Sequence, residues 1–287
     1  SFLFPLKKSL LKNVHFVFEC HQIYSINLAM EKKFTQARRE YSLEQKVYKH
    51  ADLTFVNTKF LQILLEKEYK TTIQKIPLAV ADSDVSNEPL RIGFDQRPYD
   101  FVYSGSFSHW KGVHILVGAL ILIRDQGWSG KAILVGCKSH EFQEWQMSIK
   151  ERHAESFIEI KEQLPRQVIS NILDQSKIGV IPNILEDDSI LGTSPLKLYD
   201  YAARGLHLVC TQVPALQTEI SLTDTTWAEP ESPEALAGAL ASALKDCDSP
   251  SLSNWSWAKQ NTWTRRAERV MLEINKLQNL SAQAKAD

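Results

Sequence analysis

The chain has 287 residues, 44% of them hydrophobic and 23% charged, which suffices for one large core or two modest ones and slightly favours two domains. Thirty-three basic residues stand against thirty-four acidic ones, and the resulting net charge of -1 excludes a global field that would select nucleic acid or an acidic substrate. Cys20, Cys137, Cys210 and Cys247 lie far apart with no pair at metal-ligand spacing, which argues against a disulfide framework or a zinc site and for a reducing, cytoplasmic setting.

The opening, SFLFPLKKSLLKNVHFVFEC, begins apolar, but Lys7, Lys8 and Lys12 interrupt it well short of the roughly 20 apolar residues that a bilayer span needs. It also lacks the order of regions of a cleavable signal. Two readings stand for Phe2 to Lys12: a helix covering a domain, or a basic, apolar segment touching an anionic membrane. Short β-rich runs then alternate with segments of helical period. HFVFE from His15 reads as a strand, Leu28 to His50 as a helix, LTFV from Leu53 as a strand and Lys59 to Tyr69 as a helix. ADSDVSNEPLRIGFDQRPYD, Ala81 to Asp100, is rich in Asp, Ser and Pro without a period and reads as a linker at a domain boundary.

Beyond it the alternation is denser. Strands are expected at DFVYSG from Asp100, AILVG from Ala132, FIEI from Phe157, IGVIP from Ile178 and LHLVC from Leu206. Helices are expected over Trp110 to Arg124, Glu141 to His153, Arg166 to Gln175, Pro195 to Arg204 and Pro233 to Lys245, and a long amphipathic one from about Trp255. So regular an alternation implies a doubly wound α/β fold with parallel sheets. The domains are read as a partial N-terminal domain over 1–90, a C-terminal domain over 91–258, and a C-terminal helix over 259–287 that packs back toward the first.

Two stretches carry chemistry. In YSGSFSHWKGVHILVGAL a β-run ends in Ser104-Gly105-Ser106, and a helix begins just after Lys111. Gly105 lets a ligand approach the backbone, while loop amides, a helix N-terminus and Lys111 favour a phosphate or pyrophosphate. The competing reading is an ordinary strand-to-helix turn with a solvated lysine, since no Walker or full GxGxxG pattern is present. In SPLKLYDYAARG, Ser194 suits an N-cap, Pro195 the first helical position and Gly205 the stop. Lys197 and Asp200, three apart, share a helix face, either as a plain surface ion pair or as site residues beside the free amides of the helix start.

SPLKLYDYAARGLHLVCTQVPALQTEI resembles the donor segment of the group-1, retaining glycosyltransferases of GT-B fold. GSFSHWKGVHILVGAL resembles that family's loop ending in Lys-Gly, FVFECHQIY its N-domain strand ending in a His, and YKHADLTFVNTKFLQILLEKEY with IPLAVADSDV the end of that domain. WAEPESPEALAGALASAL is similar to its late C-domain helix. The resemblance implies two Rossmann-like domains, the first incomplete, with the chain starting well inside the family's usual length.

By this resemblance Gly105, Ser106 and Lys111, with the amides near Thr193, Ser194 and Pro195, hold the donor pyrophosphate. Lys197 reaches phosphate or leaving-group oxygens, and Asp200 accepts from the ribose hydroxyls. Leu164, Pro165 and Arg166 flank the base, and His21 faces the cleft near the sugar ring. The catalytic set is thus His21, Lys111 and Lys197, with no metal and no cofactor besides a UDP-, GDP- or ADP-sugar substrate. The family's first glutamate falls at Gly192, and Ser106 stands where an Arg is frequent.

The resemblance implies a retaining, metal-independent sugar transferase acting on a glycan or lipid-linked acceptor, cytoplasmic and in peripheral contact with a membrane. The alternative is a donor-binding subunit without catalysis of its own, or one completed by a second chain or by an upstream segment. A glycan phosphorylase is disfavoured because no lysine-bearing cofactor segment is evident. Glu219 is read as bracing a helix, His109, His114, His140 and His153 as surface or packing residues, and Glu186, Asp187 and Asp188 as a solvated acidic loop.

Overall fold

The computed structural model describes residues 14–69, 72–86, 93–185, 196–219 and 224–283. They form two compact units, one running through Leu78 and resuming at Trp263, the other lying between Ala79 and Thr262.

In the first unit β1 (Val17–Cys20), β2 (Leu53–Val56) and β3 (Ile73–Lys75) make a parallel sheet in that order. The central strand is buried at every position, as a parallel strand covered on both faces must be. Its alternation sends Val56 to one side, into a cluster with Tyr48, Leu61 and Leu65. Tyr48 comes from α2 (Phe34–His50) and the two leucines from α3 (Lys59–Glu68). Leu53 and Phe55 point to the other side, where Val270, Ile274 and Leu277 of α11 (Trp263–Gln283) pack on them at helical spacing. Thr58 caps α3, its side-chain oxygen accepting from Leu61 N at 3.1 Å.

The expected helix over Leu28 to His50 is two helices, α1 (Tyr24–Met30) and α2, because Lys32 takes φ 60° between them. No glycine or proline marks that turn. The long helix expected from Trp255 is likewise divided, into α10 (Leu252–Gln260) and α11. At the division Asn261 O accepts from Val80 N at 3.0 Å, so the chain is held extended there rather than helical.

The second unit is a six-stranded sheet of β4 (Tyr99–Ser104), β5 (Ala132–Cys137), β6 (Ile158–Glu162), β7 (Ser176–Ile181), β8 (His207–Thr211) and β9 (Thr225–Ala228), in the order β6-β5-β4-β7-β8-β9 and parallel throughout. Its helices are α4 (Val113–Asp125), α5 (Ser139–Glu151), α6 (Arg166–Asp174), α7 (Leu196–Ala203), α8 (Pro214–Glu219), α9 (Pro233–Lys245) and α10. Leu116, Val117, Leu120 and Ile123 of α4 join Phe101, Leu134, Ile178 and Val180 of the sheet and Leu236 and Leu240 of α9 in one core. Full burial of each such side chain stabilises by about 1.5–3 kcal/mol.

Strands β3 and β9 carry no clear signal in the sequence, since IQK and TTWA are short, half-polar edge strands. All four cysteines are buried and none is in a disulfide. Among the described residues no helix is long and apolar enough to cross a membrane.

Candidate functional site

Chain order and sheet order part company between β4 and β7. After β4 the chain runs outward through β5 and β6, then returns to pair β7 on the other side of β4. Loops leaving the carboxyl ends of two such strands diverge, and open α/β sheets bind ligands in the crevice so formed.

Glycines shape this end of the sheet. Gly105 follows β4 with φ 146°, and its N–H donates to Val135 O at 2.9 Å. A side chain at Gly136, φ 115°, would stand 2.2 Å from Gly105 O, so both positions keep the ends of β4 and β5 in contact. Gly112, φ 68°, opens α4, and a methyl there would lie 1.8 Å from Pro182 O beyond β7. The two loops bordering the crevice therefore touch through bare backbone.

Helix α7 is anchored across the same strand ends. Tyr201 Oη accepts from Ser104 N at 2.8 Å, and its ring occupies space that any side chain at Gly179 would fill. One turn earlier Lys197 is buried, and its Nζ has no hydrogen-bond partner. The ammonium lies 3.9 Å from the centroid of the Tyr103 ring and beside Gly105, where an added Cβ would come within 3.1 Å of it. Burial, reinforced by the charge of Lys111, pushes the Lys197 pKa well below the ordinary lysine range. Lys111 Nζ itself lies 3.4 Å from the centroid of the Trp110 ring. Ser106 O accepts from Tyr103 Oη at 2.6 Å, and Ser106 Oγ is 3.2 Å from Ser108 Oγ.

The surface ion pair between Lys197 and Asp200 does not form. Asp200 bonds instead to Arg166, at the start of α6, with Nη2 2.8 Å from Oδ1. Burial pushes the Asp200 pKa up, and Arg166 opposes it. Arg166 also holds Asp84 through Nε at 3.1 Å and through Nη2. Asp84 accepts in addition from Arg204 Nη2 at 3.2 Å. Desolvation would raise the Asp84 pKa, but these guanidiniums outweigh it and hold it below the usual range.

Gly105, Ser106, Lys111, Lys197 and Asp200 all belong to the second unit. Leu164 is half-buried and Pro165 exposed at the N-cap of α6, adjacent to Arg166. His21 follows β1 in the first unit, more than half exposed, with Nε2 3.4 Å from Glu19 Oε1, and Glu19 in turn pairs with Arg266 of α11. Gly192, Thr193, Ser194 and Pro195 lie outside the described residues, as do Glu186, Asp187, Asp188 and the Glu219 side chain. His109 and His114 stack on one another at 4.6 Å, His140 pairs with Glu141, and His153 closes a turn with φ 54°.

Sequence reasoning missed Asp84, Tyr103, Tyr201 and Asn183. Asn183 follows β7 buried, with Oδ1 unpartnered. Among the described residues no three of His, Cys, Asp and Glu gather as a metal-ligand set.

The profile of the family described as glycosyl transferases group 1 matches residues 98–246, just over half of the chain. No curated protein matches it in sequence. Among solved structures, sucrose-phosphate synthase from Thermosynechococcus elongatus superposes with a TM-score of 0.74 at 17% identity over 96% of this chain and 70% of that one. Anabaena HepE in complex with UDP and glucose gives 0.68 at 14% identity, over 93% and 73% of the two chains. The pneumococcal O-GlcNAc transferase GtfA in complex with UDP and GlcNAc gives 0.69 at 15% identity, over 96% of this chain and 54% of its own length. The fold these likenesses share is GT-B.

Proposed function

Because the chain belongs to the group 1 glycosyl transferases, we propose that it moves a sugar from a nucleoside-diphosphate donor to a glycan or lipid-linked acceptor, with retention of configuration and without a metal. The observation that carries this reading is the buried, unpartnered Lys197 ammonium beside Gly105 at the crevice between β4 and β7, with the charge of Lys111 close enough to disfavour its own. An anion bound beside Lys197 would restore the charge that burial and Lys111 disfavour there.

In the proposed complex Lys111 and Lys197 bind the diphosphate, Gly105 and Ser106 admit it to the backbone, and the helix start near Thr193, Ser194 and Pro195 adds its amides. Asp200 accepts from the ribose, the Leu164-Pro165 loop flanks the base, and His21 lies near the sugar. As the glycosidic bond breaks, negative charge grows on the β-phosphate, and cations placed there bind the transition state better than the substrate. They supply the charge that a divalent ion supplies elsewhere, which supports metal independence. Attack from the face the leaving group departs, with the departing phosphate taking the acceptor's proton, gives retention. We place this reaction in the cytoplasm, at a membrane surface where the acceptor is lipid-linked.

Calorimetry with UDP, GDP and ADP on the chain and on Lys111→Ala tests the reading, with UDP first because two of the neighbours hold it. The parent should bind a diphosphate and the variant at least about tenfold more weakly. No binding by the parent, or equal binding by both, overturns it. Binding without sugar transfer would select the second reading, a donor-binding chain that acts with a partner.

A further inference from the structure

Arg166 has more contacts than a base-flanking surface residue needs. Its guanidinium bridges two carboxylates, donating to Asp84 from Nε and Nη2 and to Asp200 Oδ1 from Nη2. Asp84 is itself fixed, since its other oxygen accepts from Arg204 Nη2 at 3.2 Å and from Ser170 Oγ at 3.4 Å. Arg204 is buried and braced further by Asp174. The arrangement is a rigid post, Asp84, holding a guanidinium whose remaining reach ends on one oxygen of Asp200. Asp200 is mostly buried, and among the described residues its Oδ2 accepts no bond.

We propose that Arg166 is a positioning residue for nucleotide recognition. It keeps the Asp200 carboxylate charged and turned so that the second oxygen accepts from a ribose 2′-hydroxyl, and thereby makes the site selective for ribonucleotides over deoxyribonucleotides. A carboxylate buried this far needs a fixed counter-charge to stay ionised, and a bond to one oxygen sets the plane in which the other accepts. A purely structural ion pair would stabilise the unit without touching this selectivity. The inference rests on the proposed donor site, with Asp200 at the ribose.

The test is calorimetry of the full chain with UDP and 2′-deoxy-UDP, or with the matching guanosine or adenosine pair if that base binds tighter. The readout is the ratio of the two affinities, which a general loss of stability does not change. The parent should prefer the ribonucleotide by about tenfold. Asp200→Asn and Arg166→Met should each bring the ratio close to one. Arg166→Lys should restore part of the preference. If Asp200→Asn abolishes the preference and Arg166→Met keeps it, the positioning role is overturned while the donor site stands. If the parent shows no preference, or Asp200→Asn retains it, the placing of Asp200 at the ribose fails and the inference with it.

Discussion

Lys197 Nζ lies 3.9 Å from the centroid of the Tyr103 ring and makes no hydrogen bond. A basic side chain so placed costs the fold stability, because burial without a hydrogen-bond partner disfavours its charged form. With its pKa depressed, Lys197 binds fewer protons folded than unfolded, so stability rises with pH up to the unfolded value of 10.5. Lys197→Met should stabilise the chain at pH 7 by about 1–3 kcal/mol, with the gain shrinking toward pH 10.5, and should abolish diphosphate binding. Urea denaturation at pH 7 and pH 9.5 reads the first effect; parallel pH profiles for parent and variant would refute it.

Gly112 and Gly127 both have positive φ, but only Gly112 faces an obstacle. Gly127→Ala should cost about 1 kcal/mol of backbone strain, whereas Gly112→Ala must also push its methyl off Pro182 O and should cost about 3 kcal/mol or more. Equal midpoints in urea for the two variants would contradict the close loop contact.

Tyr201→Phe removes the acceptor of Ser104 N and leaves a buried N–H unpaired. A loss of about 1–3 kcal/mol is expected, with weaker diphosphate binding because α7 is no longer tied to the end of β4. Unchanged stability and affinity would show that the hydroxyl does not anchor the helix.

Chelation bears on the proposed mechanism. If Lys111 and Lys197 supply the positive charge, sugar transfer should proceed in excess EDTA at an undiminished rate. Loss of activity that Mg²⁺ or Mn²⁺ restores would overturn the metal-independent reading.

Arg266 ties α11 to the first unit through Pro77 O, at 3.0 Å, and through Glu19. Arg266→Met should expose α11 to proteolysis at protease levels that leave the parent intact, with cleavage between Trp263 and Gln283. An unchanged digestion pattern would mean that Val270, Ile274 and Leu277 hold the helix alone.

The architecture was legible because a buried parallel strand is an unbroken apolar run, and DFVYSG, AILVG and IGVIP announce themselves. Breaks were less so. Lys32 turns the chain with a positive φ that no glycine advertises, and the stop at Asn261 is set by Val80, far away in sequence. Within the site, Lys111 and Lys197 could be singled out from local pattern, but their partners could not. Spacing suggested that Lys197 would pair with Asp200, whereas the ring of Tyr103 and the guanidinium of Arg166 claim them separately. Asp84 gave no signal at all, since its role depends on side chains 82 and 120 positions away.

The seating of α11 on Leu53, Phe55 and Ile76 has a consequence for biogenesis. That face of the small sheet is completed by residues made roughly 200 positions later, so at about 5–20 residues per second it stays bare on the ribosome for about ten seconds or more. The larger unit, whose core residues lie between Phe94 and Cys247, can close first. The first unit, whose sheet is made before the larger unit, is completed after it, leaving an apolar surface for a chaperone to shield in the interval.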